Sequence, residues 1–341
     1  MENIRSLNER TYAIEKAFLS PYATASKDTK GRLRPETPCA MRTDFQRDRD
    51  RLIYCKAFRR LKNKTQVFFS PEGDHYVTRL THTLDVAQIA RSIARTLSLN
   101  EDLAEAIALG HDLGHTPFGH SGERILNSLS PYGFEHNVQS LRVVDVLEKD
   151  GAGLNLTFEV RDGIVNHKKS GNPATLEGKC VSLADRIAYI NHDLDDAVRA
   201  GILKLSDVPE DIISVLGTSS KERINTAITS VYNNSNGIND VKMDDSVAKA
   251  SERLRSFMFE RVYLTDSAKG EEENAERMLS AMYTYFLKNL KRLPETYVGL
   301  LEKYPEEKVV CDYLSSMTDR YALYIFKSIF IPKGWTFIDE K

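Results

Sequence analysis

Eight histidines stand at positions 75, 82, 111, 115, 120, 136, 167 and 192 of this 341-residue chain, and the remainder has none. Imidazole is the commonest metal ligand, and it changes protonation near neutral pH, so this third of the chain is where chemistry is expected. The sharpest local signal is His111-Asp112, which closes the helical pattern EDLAEAIALGHD. Neighbouring residues cannot share a helix face, but at a helix end both can reach one ion. A divalent cation accepts mixed nitrogen and oxygen ligands and keeps positions open for water. Two further ligands are offered on separate helical patterns, His82 in RLTHTLDVAQIAR and Asp185 in VSLADRIAYINHDLDD. Alone, the His-Asp pair reads equally as a helix-end cap or a salt bridge. The company of His82 and Asp185 turns the reading toward a metal seat.

After the doublet, Gly114, Pro117 and Gly119 break the helix and let backbone approach a ligand, with His115 and His120 on either side of Thr116-Pro117-Phe118. Glu123 lies three residues past His120, one helical turn on, within reach of its imidazole. A carboxylate partner fixes the tautomer and raises the imidazole pKa, which suits a general acid. The alternative is a pair of structural histidines capping a loop. Farther on, Asp185, Tyr189, His192, Asp193 and Asp196 form one helical stripe, opposite Leu183, Ile187, Ile190, Leu194 and Val198. An ordinary surface helix is also two-faced; the excess of acid around a tyrosine departs from it. For His192 and Asp196 a solvated or salt-bridged face is the favoured reading. Among the basic residues Arg79 ranks first as a phosphate contact, because it shares a helix face with His82. Lys168, Lys169 and Arg161 are weaker candidates. Most of the basic arm from Lys27 to Lys64 is expected to be solvated or paired with Asp44, Asp48 and Asp50.

The elements that must position these groups are helices. Apolar residues recur at helical spacing over roughly 3–19, 44–62, 78–97, 101–113, 121–129, 136–149 and 156–168. The pattern resumes over 176–200, 208–216, 220–233, 244–264, 271–291, 294–303 and 307–328. Extended pattern is confined to Thr65–Phe69 and Ser328–Ile331. Turns are marked by Ser70-Pro71-Glu72-Gly73, Ser130-Pro131-Tyr132-Gly133 and Lys169-Ser170-Gly171-Asn172-Pro173, and Tyr232 to Asp240 reads as an exposed connection. The expected fold is mostly α, with a functional core and basic arm over 1–205 and a helical region over 206–341 packed on it.

The order H…HD…D resembles the HD superfamily of metal-dependent phosphohydrolases. Four longer strings are similar to its deoxyguanosine triphosphate triphosphohydrolase branch: AFRRLKNKTQVF (57–68), HDLGHTPFGHSGE (111–123), FEHNVQSLRVV (134–144) and ATLEGKCVSLADRIAYINHDLDDAVRAGIL (174–203). The resemblance implies an HD-domain helical core with additional C-terminal helices. It implies hydrolysis of dGTP or several deoxynucleoside triphosphates to deoxynucleoside and tripolyphosphate. It implies a divalent ion (Mn2+, Fe2+, Ni2+ or Mg2+) on His82, His111, Asp112 and Asp185. His120 would protonate the leaving 5′-oxygen, oriented by Glu123, while His115 and His136 touch the α-phosphate. Tyr189 and Asp193 would contact the deoxyribose, the ring leaving no room for a 2′-hydroxyl, with Arg186 a candidate for the outer phosphates.

The bulk numbers are consistent with that class. With 47 basic and 49 acidic residues the formal net charge is -2, which gives no global argument for a nucleic-acid coat protein. Four scattered cysteines without a C-x-x-C pair suggest a reducing cytoplasm, and no apolar run approaches the roughly 20 residues of a membrane span. The resemblance implies a homo-oligomer; stripes such as SFMFERVYL could pack between copies, although such stripes are more often ordinary core. Two rivals stand beside the triphosphohydrolase. One is an HD phosphatase of deoxynucleoside monophosphates. The other is a nucleotide sensor that binds single-stranded nucleic acid through the arm at 27–64.

Overall fold

The computed structural model describes residues 7–66, 77–263 and 266–332. His75, positions 67–69 of the first extended piece and the turn at 70–73 lie outside them. Sixteen α-helices follow in order among the described residues. The first nine are α1 (Leu7–Phe18), α2 (Asp44–Tyr54), α3 (Lys56–Arg60), α4 (Arg79–Thr96), α5 (Glu101–Gly110), α6 (Gly119–Leu129), α7 (His136–Arg142), α8 (Phe158–Val165) and α9 (Leu176–Arg199). Then come α10 (Glu210–Leu216), α11 (Ser220–Ser235), α12 (Asp245–Met258), α13 (Asp266–Lys288), α14 (Glu295–Val298), α15 (Glu306–Ser315) and α16 (Asp319–Phe330). Extended pairing among them is limited to two isolated bridges, Arg32 with Thr157 and Thr65 with Thr78. The fold is mostly α, as the apolar periodicity requires.

Helix α5 is the axis of the site. Leu103, Ala104, Ala106, Ile107, Ala108, Leu109 and Gly110 are all buried, because α2, α4, α8 and α9 surround it. Asn100 starts it, its side chain accepting the Leu103 N–H. Gly110 and Gly163 let α5 and α8 touch: a Cβ on Gly110 would lie 2.4 Å from Ile164, and one on Gly163 2.5 Å from Ile107. Helix α4 is opened by Thr78 and Thr81 in a capping box, and α9 by Thr175, whose hydroxyl accepts the Gly178 N–H. The site's ligands thus stand on three closely packed helices.

Three expectations are corrected. The pattern over 44–62 is broken at Cys55, whose extended ψ of 157° ends α2 and whose Sγ accepts the Phe58 N–H to start α3. The pattern over 307–328 is two helices, separated where Thr318 caps α16 through the Tyr321 N–H. Ser328–Ile331 is not extended: α16 continues to Phe330, because Ile325, Phe326 and Ile329 recur at helical spacing against the apolar cluster of α13 and α15. A short apolar run does not distinguish the two by itself.

The C-terminal helices are tied to the core by charge as well as by apolar contact. Asp312 on α15 is fully buried and accepts from Arg142 Nε (2.8 Å), Arg142 Nη2 (2.6 Å) and Gln139 Nε2 (2.9 Å), both on α7. Asp312→Ala leaves Arg142 nearly buried without its partner, a loss of about 3–5 kcal/mol. A urea midpoint that moves by less than about 1 kcal/mol equivalent would show that this tie is not structural. The basic arm is largely consumed by such pairs: Arg32 with Asp44 and Asp48, Arg42 with Asp50, Arg47 and Arg51 with Glu36, and Arg49 with Asp102.

Candidate metal centre and active site

Helix α5 delivers His111 and Asp112 at its carbonyl end, where the helix dipole favours a cation. Across from them α4 presents His82 and α9 presents Asp185. His82 Nε2 lies 3.1 Å from Asp185 Oδ1 and 4.0 Å from Asp112 Oδ2; His111 Nε2 lies 3.8 Å and 3.5 Å from the same two carboxylates. The four predicted ligands therefore converge, and all but Asp185 are almost wholly buried. His111 Nδ1–H donates to the Ala108 carbonyl at 2.7 Å, which leaves the Nε2 lone pair facing the cluster without a partner. A buried acceptor left so is costly unless something binds it. The open His111 Nε2, with a second imidazole and two carboxylates in reach, fits a divalent ion.

The electrostatics agree with a ligand set. Burial pushes the His82 imidazole below its usual range, despite Asp185 and Asp112 beside it, so it stays neutral as a ligand must. Burial alone would raise the Asp112 carboxyl, but His111, His115 and Arg79 outweigh it and hold the group well below the ordinary carboxylate range. Arg79 is fully buried, and its Nη1 donates to Asp112 Oδ2 at 2.7 Å. The cation singled out for phosphate thus braces the Asp112 carboxylate.

The loop after the doublet needs two consecutive left-handed residues, Phe118 (φ 64°) and Gly119 (φ 57°), to turn into α6. For phenylalanine that conformation is unfavourable and must be held by its surroundings. Asp319, 201 residues away at the start of α16, accepts the Phe118 N–H at 3.1 Å, the Thr65 N–H at 3.0 Å and the Thr65 hydroxyl. Lys64 is buried beside it and donates to the carbonyls of His115 and of Ser315, the latter at 2.8 Å. Its ammonium is pushed well below the usual lysine range by that burial. Neither Asp319 nor this use of Lys64 carries a local sequence signal.

With the loop so held, His120 is half exposed, and its Nδ1 lies 3.3 Å from Glu123 Oε2. Glu123 also accepts from the His136 backbone N–H and from His136 Nδ1–H, both at 2.9 Å. Burial would raise the Glu123 carboxyl, but the bonds from His120 and His136 keep it far below its usual range. His115 donates from Nε2 to Asp112 Oδ1 at 3.3 Å, and its ring stacks on His136 with centroids 4.1 Å apart and planes 15° from parallel.

His167, counted in the sequence but assigned no role, is also drawn in. It is buried against His111, ring centroids 5.0 Å apart, and its Nε2 lies 3.2 Å from that of His136. Its imidazole is pushed down to about 4 by burial, with His111 and His136 adding to the effect. Clustering of the histidines was its one signal. Asp193 is buried and Tyr189 half-buried on α9; Tyr189 and Arg186 also line a cavity of about 280 Å³ among α9, α11 and α12, with Met243, Glu252 and Arg255. His192 pairs with Asp85 at 2.9 Å and Asp196 with Arg199 at 2.8 Å, the salt-bridged face expected for both. Arg161, Lys168 and Lys169 are taken by Asp145, Glu135 and Glu252.

A family model described as an HD domain matches residues 79–190, and one described as a phosphohydrolase-associated domain matches 241–328. The helical fold and the HD-domain match define a phosphohydrolase of the HD class. The chain is 56% identical over 329 residues to a deoxyguanosinetriphosphate triphosphohydrolase-like protein of Caldanaerobacter subterraneus subsp. tengcongensis, covering 96% of this chain and 97% of that one. A protein of the same description from Clostridium tetani is 47% identical over 339 residues, with 96% and 97% covered. A solved phosphohydrolase from Bacteroides thetaiotaomicron shares the fold, with a TM-score of 0.52 at 17% identity over 82% of this chain and 67% of that one. The chain belongs to the family of deoxyguanosinetriphosphate triphosphohydrolase-like proteins. Among the described residues no helix is long and apolar enough to cross a membrane.

Proposed function

We propose that the protein hydrolyses deoxynucleoside triphosphates, dGTP or several of them, to deoxynucleoside and tripolyphosphate. The observation that carries this reading is the half-exposed His120, bonded to Glu123, beside the buried cluster of His82, His111, Asp112 and Asp185. Those four residues would hold a divalent ion such as Mn2+, which supplies Lewis acidity toward a phosphoryl oxygen and acidifies water. His120 is the general acid: as water attacks the α-phosphorus and the P–O5′ bond breaks, its proton passes to the 5′-oxygen. Glu123 orients that imidazole and, through its second oxygen, holds His136. His115 and His136 face the α-phosphate. Tyr189 packs on the sugar where a 2′-hydroxyl would stand, and Asp193 accepts from the sugar hydroxyl. Arg186 serves the outer phosphates, and Arg79 acts toward them through Asp112, the carboxylate it holds. The division of labour between 1–205 and 206–341 belongs to this reading, as does an assembly of copies. Helix α16 exposes Tyr321, Leu323 and Tyr324, side chains that such an assembly would cover.

The test is product analysis. Purified protein with manganese is incubated with each of the four deoxynucleoside triphosphates, alone and mixed, and the products are separated by ion exchange. Deoxynucleoside and tripolyphosphate are expected, with turnover falling about 10²–10⁴-fold in His120→Ala. Orthophosphate or monophosphate as first product would place attack at another phosphorus and overturn the α-phosphate reading.

A further inference from the structure

Asp319 opens α16 and is 2% exposed, and each of its carboxylate oxygens serves a different distant segment. Oδ1 accepts the Phe118 N–H at 3.1 Å, while Oδ2 accepts the Thr65 N–H at 3.0 Å and the Thr65 hydroxyl. A buried carboxylate is costly without such bonds, and the start of α16 adds the favourable end of a helix dipole. The first segment aims His120. Phe118, left-handed at φ 64°, is the residue at which the chain turns into α6, and no side chain caps that helix. His120 stands in its first turn, and His115 lies three residues before Phe118. The second segment belongs to the other side of the site. Thr65 is bridged to Thr78, the Lys64 carbonyl accepts the Arg79 N–H at 3.1 Å, and the Gln66 carbonyl accepts from Arg79 Nη2 at 3.4 Å. It is thereby fixed to the start of α4, which carries Arg79 and His82.

We propose that Asp319 is a positioning residue for the hydrolysis: by joining Phe118 to Thr65 it fixes His115 and His120 relative to His82 and Asp112. It acts through two backbone N–H groups, one on each segment. The segments already lie close, since a Cβ on Gly119 would stand 3.2 Å from the Gln66 carbonyl oxygen and 3.4 Å from Arg79 Nη2. Van der Waals contact alone is non-directional; a carboxylate with one oxygen on each side sets the register. Lys64 adds a second tie between the same segments, donating to the His115 carbonyl and to the Ser315 carbonyl at the end of α15. The turn between α15 and α16 thus frames the site without supplying a group to it. The inference rests on the reading of His120 as proton donor, but not on which nucleotide is hydrolysed.

Asp319→Asn tests this, because it keeps the shape and one acceptor oxygen while its amide nitrogen cannot accept the second backbone N–H. In the full-length variant, hydrogen exchange should show protection over residues 115–119 lowered about tenfold or more, with α5, α9 and α15 unchanged. Turnover of whichever nucleotide the unaltered chain hydrolyses should fall about 10²-fold in kcat with KM within about threefold, as for a donor displaced by about 1 Å. Manganese affinity, measured by equilibrium dialysis, should stay within about threefold. Thr65→Val, which deletes only the hydroxyl bond, should show the same pattern at smaller size, and it is judged by the same criteria if Asp319→Asn does not fold. Unchanged protection at 115–119, or a loosened loop with full kcat, would overturn the proposal. So would exchange that rises throughout the chain, which marks a merely structural carboxylate, or a loss of manganese binding, which places the effect on the metal ligands. Exchange needs no nucleotide, so a wrong product from the unaltered chain strikes the hydrolysis reading and leaves this test intact.

Discussion

Alanine at Asp112 or at Asp185 is expected to abolish turnover in both cases, while only the first change strongly destabilises the fold. Each removes an anionic donor from the four that converge between α4, α5 and α9, so a fall of at least about 10³-fold in kcat/KM is expected if the ion supplies several kcal/mol to the reaction. Their surroundings differ. Asp112 partners Arg79, whose side chain is 1% exposed. Without the carboxylate a guanidinium is left buried and uncompensated, at a cost of about 3–5 kcal/mol. Asp185 is about a quarter exposed and faces His82 at 3.1 Å, so its loss forfeits one hydrogen bond, about 1–2 kcal/mol. Metal linkage adds a second readout. In the unaltered chain manganese at a hundred times its Kd raises stability by about 2.7 kcal/mol, and both variants should lose that increment. Urea unfolding with and without manganese, beside steady-state kinetics, measures all of it. Equal stability of the two metal-free variants would refute the bracing role of Arg79. Retained manganese stabilisation in Asp185→Ala would remove Asp185 from the seat.

Gly114→Ala should be nearly as damaging, though it touches no charge. A Cβ there would lie 2.2 Å from the Ser140 nitrogen and 2.5 Å from both the Gln139 carbonyl carbon and the His136 oxygen. All three are backbone atoms of α7, the helix that begins with His136, so no side chain can rotate away. The same crossing is stitched by Gly114 N–H to Ser140 Oγ (2.9 Å) and Ser140 Oγ–H to the His111 carbonyl (2.7 Å). Overpacking of this kind costs about 1–3 kcal/mol or more. A displacement of His115 and His136 by about 1 Å would lower kcat about 10²-fold. Gly270→Ala is the control: nothing lies within 4 Å of its Cβ, and the position is on α13. There alanine should stabilise by about 0.5–1 kcal/mol through helix propensity. If Gly114→Ala behaved like Gly270→Ala in thermal unfolding and kinetics, the tight crossing would have no functional weight.

Residue type and spacing along the chain determined much of this. The helices followed from apolar periodicity because each buries one face, and α5 was legible as a helix because EDLAEAIALGHD repeats apolar residues at helical spacing up to His-Asp. The pairing of His120 with Glu123 was readable for a similar reason, since three residues on a helix bring side chains together wherever the helix goes. Breaks at Cys55 and near Thr318 escaped, because a cap formed by one side chain on one N–H leaves the apolar period unchanged on both sides. What only the tertiary structure decided is which distant groups close on the same point. Glu123 reaching His136, Arg79 committing to Asp112, His167 meeting His136, and Lys64 and Asp319 holding the loop at Phe118 span 13, 33, 31, 51 and 201 positions. Such partners are chosen by helix packing, in which a few ångströms of approach, allowed by Gly110, Gly114 and Gly163, decide which buried polar atoms find a partner and which are left open to a ligand.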